Sequence, residues 1–317
     1  MAGYTWKNDQ EDGVLKNSAL SSELMKASVA DTVIQPFCRI VPGFGRRKGE
    51  SLTVPLIKNI AEPTSAELGE SDRIPIDTYA HSSVAITVKE WGRGVEYSHR
   101  AELLNIFDLA DAIQGTLRDQ MKLVLDTAAA AAFKAAKIIF IPTSLSGGTF
   151  DTDGTPSTQA TQNLTVQHVQ TIRDYLADSI HCPPWNGREF VCLASTKALR
   201  GIKQDPLFLA WRQYADPQAA FFRGEVGSIE NIRFVEVNHV NALSNAKGSG
   251  SVLGEALFFG KDAVGMVVAE DPELRADVNV GDFGRQKAVA WYGVMNYGLL
   301  WTTANDGEAR VIRVSSS

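Results

Sequence analysis

"FDLADAIQGTLRDQMKLVLDTAAAAAFKAAKII", Phe107 to Ile139, carries the strongest helical signal in the chain. Leu109, Ile113, Leu117, Met121, Val124 and Ala128 recur at helical spacing, which places them on one face. Asp108 is the residue type that caps a helix start. Asp111 adds a carboxylate to the first turn, where unpaired N–H groups favour negative charge. The run Ala128–Ala132 has high helix propensity and leaves room for another backbone to approach. The spacing predicts a helix of roughly 30 residues, Asp108–Lys137, spanning about 45 Å at 1.5 Å per residue. Helices in globular domains average about 11–12 residues, so this one reads as a structural spine.

Upstream, Leu52–Glu90 reads as extended. "LTVPLI" is β-branched and apolar with an internal proline, the mark of an edge strand. "NIAEPTSAELGESDRIPID" is acidic, rich in turn formers and offers little apolar surface to bury. "HSSVAITVKEWGRGVEYS" then alternates at Val84, Ile86 and Val88. Together these predict a long two-stranded hairpin with a loose tip. Such a hairpin is marginal alone, and its open edges invite pairing with another chain. Before it, "GFGRRKGESLTVP" (Gly43–Pro55) superficially resembles a phosphate loop. A phosphate loop runs through glycines into a helix N-terminus, whereas here a strand follows, so the stretch reads as a basic turn. Further back, Ser18–Ile34 has the spacing of a short amphipathic helix with Leu20, Leu24, Ala27 and Val33 on its apolar side.

Downstream, "SLSGGTFDTDGTPSTQATQNL" is a Gly/Ser/Thr-rich connector. Its "DTDG" departs from an EF-hand loop, which needs glycine at position six and glutamate at twelve; Pro156 and Gln162 stand there. The texture then becomes α/β. Thr165 caps a helix with Val166, Val169, Ile172 and Leu176 on its face. "REFVCLA" is a buried strand, Ser195 or Thr196 starts another helix, and Asp205-Pro206 stops it. "NIRFVEVNHV" is a strand, "EALFFGKDAVGMVVA" a strand pair, and the aromatic-rich tail from Gln286 returns to a sheet.

The 317 residues carry 31 basic and 37 acidic side chains, a net charge of −6 that argues against a general nucleic-acid binder. No apolar run is long enough to cross a bilayer, and the polar, acid-bearing start is not a signal peptide. Cys38, Cys182 and Cys192 lack metal or redox spacing and read as reduced, buried thiols. The five histidines, His81, His99, His168, His181 and His239, show no metal-binding spacing. No nucleophile elbow occurs. Neither a catalytic residue, a cofactor site nor a metal site is expected. Two charged groups remain: the cations Arg39, Arg46, Arg47 and Lys48 beside the hairpin, and the tip acids Glu62, Glu67, Glu70 and Asp72. Arg46, Arg47, Lys48 and the four acids are the candidate contacts between subunits.

These parts in this order resemble the major capsid proteins of tailed bacteriophages, which share the Hong Kong 97-type fold. "TVKEWGRGVEYSHRAELLNIFD" is similar to the passage from the extended loop into the spine. "GEVGSIENIRFVEVNHV" resembles a strand of the axial domain, and "LFFGKDAVGMVVAEDPEL" the exit from that domain. The resemblance implies an α+β chain divided into an N-terminal arm (1–48), an extended hairpin loop (49–92), a peripheral domain with the spine helix (93–163), an axial domain (164–266) and a return to the peripheral domain (267–317). It implies a non-enzymatic shell protein of the virion, assembled in the host cytoplasm into hexamers and pentamers around double-stranded DNA that it holds without specificity. It also implies a separate scaffolding protein rather than a cleaved leader, and a portal, and it allows a decoration protein. Some members cross-link a loop lysine to a neighbour's asparagine with help from a glutamate; Lys58 supplies the donor type. Two other readings fit the same residues: an encapsulin-like nanocompartment shell, and an oligomeric α/β enzyme with the hairpin as a lid. Particle contents separate the first, and the second requires a convergent polar site.

Overall fold

The computed structural model describes residues 27–45, 47, 49–60, 62–70, 73–105, 108–208, 227–281, 285–305 and 307–316. In chain order the strands and α-helices are β1 (Arg39–Ile40), β2 (Ser51–Ile57), β3 (His81–Thr87), β4 (Lys89–Ser98), α1 (His99–Leu104), α2 (Leu109–Lys134), β5 (Ile138–Pro142), β6 (Gly148–Asp151), α3 (Val166–Asp174), β7 (Phe190–Ser195), α4 (Thr196–Lys203), β8 (Ser228–Ile229), β9 (Ile232–Val237), β10 (Ala256–Phe259), β11 (Val264–Gly281), β12 (Gln286–Leu299) and β13 (Val311–Val314).

The spine forms as α2. Asp108 caps it, its side chain accepting the Asp111 N–H at 3.1 Å. The helix has 26 residues and spans about 39 Å. It stops before the expected Lys137, because Ile138–Pro142 leaves it as β5, a wholly buried strand. Four apolar β-branched or aromatic residues in a row gain more from a two-sided sheet than from continuing a helix into solvent.

A four-stranded sheet, ordered β1-β11-β12-β4, lies under the first half of α2. Its centre is the antiparallel pair β11–β12, whose register slips beside Pro272, between Glu270 and Glu273. Burial alternates along β12, so Val289, Trp291, Met295 and Tyr297 face inward. Leu117 packs on Val289 and Trp291, flanked by Ile113, Met121 and Val124. The face expected from sequence is therefore the face used here.

A seven-stranded mixed sheet, ordered β6-β5-β13-β10-β7-β9-β8, is covered on both sides. One face holds Cys192, Ala194, Phe258 and Ile312 against Val169 and Ile172 of α3 and Leu199 and Ile202 of α4. The other holds Val191, Leu193, Leu257 and Phe259 against the second half of α2, where Leu125, Ala129, Ala130 and Phe133 are buried. The alanines let helix and sheet approach closely. One helix thus covers two sheets, and burying each large apolar side chain along it contributes about 1.5–3 kcal/mol.

Several local expectations hold. Thr165 caps α3 in a capping box with His168, Ser195 caps α4, and the "DTDG" stretch is a turn in which Asp151 and Asp153 accept backbone N–H groups. Others need correction. The connector is not wholly irregular, because β6 within it pairs with β5. β10 and β11 do not pair with each other: the turn at Gly260-Lys261-Asp262, with Asp262 at φ 57°, passes the chain from one sheet to the other. Of the helix expected over Ser18–Ile34, residues 18–26 lie outside the described residues. Residues 27–34 are not helical, and a single 3-10 turn, Gln35–Phe37, follows.

Candidate assembly interface

β2 and β3 form the expected hairpin, with Leu52 opposite Ile86 and Val54 opposite Val84. Pro55 is tolerated because β2 lies at an edge, where a missing N–H breaks no ladder. The base is docked. Ile86 is 3% exposed and packs with Val267 and Leu300, and Leu52, Val54 and Phe44 gather around them. The approach is close enough to need glycine at Gly298, where a Cβ would stand 2.7 Å from Ile86 Cγ1. Asn296 Nδ2 donates to the Thr87 carbonyl at 2.6 Å. Lys58 Nζ lies 3.6 Å from Glu308 Oε1, and Thr303 Oγ1 donates to the other oxygen at 2.6 Å. The cross-linking donor type is thus engaged by a carboxylate of its own subunit.

Beyond Lys58 the chain leaves the body. Within 58–80 the described residues form no helix or strand, and all but Lys58 are exposed. Glu62, Glu67 and Glu70 are exposed there, as expected; Asp72 lies outside the described residues. The expectation of little apolar surface is wrong, however. Ile60, Leu68, Ile74, Ile76 and Tyr79 are all exposed, Ile76 at 90%. The acids solubilise a tip that is also apolar. Its proline and aspartate neighbours read as turn formers, which hid Ile74 and Ile76 in the sequence.

The basic turn joins β1 to β2 with Gly43 at φ 97° and Gly49 at φ 90°, and no helix follows it. That excludes the phosphate-loop geometry. Arg47 is exposed and also left-handed, at φ 64°; Arg46 and Lys48 lie outside the described residues. Arg39 is engaged within the subunit, its guanidinium 2.9 Å from Asp262 Oδ2. Among the described residues, Arg47 forms no ion pair with Glu62, Glu67 or Glu70.

A second exposed apolar patch lies on α1. Ser98 caps this helix, and Lys287 Nζ sits 2.5 Å from Glu102 Oε2, which holds that carboxyl below its ordinary range. Leu103 and Leu104 are 69% and 71% exposed and border a groove with Arg100 and Arg285.

The buried polar groups were not foreseen. Asp126 and Glu255 are 0% and 4% exposed. Glu255 accepts the Ser244 N–H at 2.8 Å and pairs with Lys134 at 2.5 Å, tying the end of α2 to the seven-stranded sheet. The signal for Asp126 was an isolated acid in "LVLDTAAAAAF", a stretch otherwise apolar but for Thr127. The three thiols are free and buried; burial pushes Cys38 and Cys182 up to about 12 and Cys192 well above its usual value. Among the described residues no group of three or more His, Cys, Asp or Glu is placed to hold a metal ion, and no helix is long and apolar enough to cross a membrane.

No protein-family profile and no curated protein matches the sequence. Solved structures match over its whole length. The capsid asymmetric unit of cyanophage Pam1 is 13% identical at a TM-score of 0.74, covering 100% of this chain and 99% of that one. The acid-stable capsid of Helicobacter pylori bacteriophage KHP30 is 13% identical at 0.73, covering 100% and 99%. The capsid of Ralstonia phage GP4 is 16% identical at 0.61, covering 96% of each. The fold is that of these phage capsid chains. It is the Hong Kong 97-type fold, with arm, extended hairpin, spine helix and two sheet-bearing bodies in the expected order.

Proposed function

We propose that this chain is the major capsid protein of a tailed bacteriophage, a structural component of the virion that assembles in the host cytoplasm into the hexamers and pentamers of an icosahedral head around double-stranded DNA. The observation that carries the reading is the hairpin: docked at its base, it projects a tip whose apolar side chains nothing in its own subunit covers. Several large apolar side chains exposed on one projecting element suit an interface. On a fold shared end to end with phage capsid chains, the partner is another copy. Closed symmetry repeats the contact in every subunit, so modest contacts sum to a stable shell. The net charge of −6 suits a container that encloses DNA without gripping it, since tight phosphate binding requires a basic surface. A separate scaffolding protein, a portal and a decoration protein complete the proposed set of partners.

The test is electron microscopy and sedimentation of the purified protein beside an Ile74→Asp/Ile76→Asp variant. The wild type should form closed shells of megadalton size. The variant should keep its thermal midpoint within a few degrees yet stay as small species, because both positions are exposed in the subunit. Normal shells from the variant would remove the tip from the interface. A small closed oligomer from the wild type would overturn the shell reading.

A further inference from the structure

Asp126 is fully buried near the middle of α2, and its partners come from outside that helix. A buried carboxylate is strongly unfavourable unless donors satisfy it. Oδ1 accepts the Ile34 N–H at 2.8 Å and the Gln35 N–H at 3.3 Å. Oδ2 lies 3.4 Å from His239 Nδ1, in the loop after β9. The neighbouring residue of that loop, Asn238, clasps Asp31 both ways: its Oδ1 accepts the Asp31 N–H at 2.9 Å, and its Nδ2 donates to Asp31 Oδ2 at 3.4 Å. Residues 31–35 are therefore held by side chains of the spine and of the seven-stranded body together.

The apolar part of this attachment is confined to Val33, Ile34, Phe37 and Cys38, with the Phe37 ring 5.5 Å from Trp185 and 5.7 Å from Phe259. Of residues 27–38 only Ile34 and Cys38 are buried. Segments with few buried contacts open at a smaller free energy than the global fold. The backbone hydrogen bonds of α2 do not involve the arm, so detaching the arm leaves the helix intact. It also leaves Asp126 facing His239, which keeps one oxygen of the carboxylate partnered after the two amides depart.

We propose that Asp126 is a releasable latch: its carboxylate holds residues 27–38 against the body, and this segment detaches as one unit without unfolding α2 or either large sheet. The latch gives the arm two states, seated on its own subunit or free to engage another surface. It does not depend on the shell reading.

Hydrogen exchange on the full chain tests it. In the wild type, the Ile34 and Gln35 amides should exchange through an opening that low denaturant hardly changes, while amides of 125–130 in α2 respond steeply. Asp126→Asn keeps the shape and removes the charge. It should speed exchange at Ile34 and Gln35 at least about tenfold and leave 125–130 unchanged. Unchanged rates at Ile34 and Gln35 in that variant would overturn the latch. So would release of the arm by Ile34→Ala but not by Asp126→Asn, since the anchor would then be apolar. Wild-type arm amides that exchange only with global unfolding would overturn it as well, and that measurement stands even if the variant fails to fold.

Discussion

Leu117 is 3% exposed, wedged between α2 and the inward residues Val289 and Trp291 of β12. Around it the sheet cannot collapse readily, because β12 is hydrogen-bonded on both sides, to β11 and to β4. Truncation to alanine should therefore leave most of a cavity and cost about 2–5 kcal/mol. Chemical denaturation of Leu117→Ala checks this, and a loss below about 1 kcal/mol would show a site that relaxes. Leu117 was readable from sequence because its periodicity is carried by large side chains. Asp126, nine residues further along the same helix, was not. Its partners Ile34, Gln35 and His239 lie far from it in the chain, and no local pattern announces an amide arriving from elsewhere.

At the scale of the element, α3 offers a test of how a cap couples to acidity. His168 is buried; its Nδ1 accepts the Thr165 N–H at 3.1 Å, and its Nε2 donates to the Ser144 carbonyl at 2.8 Å. Burial pulls its pKa below the usual value of 6.5. The unfolded chain therefore takes up the proton first, so this contribution to stability is complete above about pH 6.5 and is lost as pH falls through the lower folded value. The thermal midpoint should drop on acidification across that window. His168→Asn, which retains an acceptor for the cap, should flatten the drop; an unchanged pH profile would assign it to other groups. Elements with a local cause were legible: the caps at Asp108, Thr165 and Ser195 and the alternation at Val84 and Ile86 all survive. Elements decided by tertiary context were not. Lys134 to Ile138 contains no glycine or proline, so the chain itself gives no sign that helix becomes strand there. Likewise Gly260-Lys261-Asp262 reads as a hairpin turn, yet its flanking strands join different sheets.

For the whole molecule, the basic turn and the acidic tip belong to one argument. Arg47 is exposed and, among the described residues, forms no ion pair with Glu62, Glu67 or Glu70; we propose that these groups pair between subunits. A single exposed pair contributes only about 0–1 kcal/mol, but a lattice repeats it in every copy. Charge reversal at Arg46 and Arg47 should leave the subunit folded and impair shell formation. Added salt should partly restore assembly, because ions screen the new repulsion over about 8–10 Å. Sedimentation of the Arg46→Glu/Arg47→Glu variant at two salt concentrations decides it; normal shells at low salt would exclude the turn from the interface. The seven-stranded sheet has a consequence of a different kind, in time rather than space. β13, the latest of its strands in chain order, lies inside the sheet between β5 and β10, with Ile312 opposite Ile138. A ribosome adding about 5–20 residues per second needs on the order of 10–30 s to travel from one to the other. Until then β5 and β10 each lack a neighbour, and the nascent chain shows an open slot where the finished subunit shows none. Emergence of β13 is thus the event that closes the body, and a chain that stalls before β13 would present two unpaired strand edges.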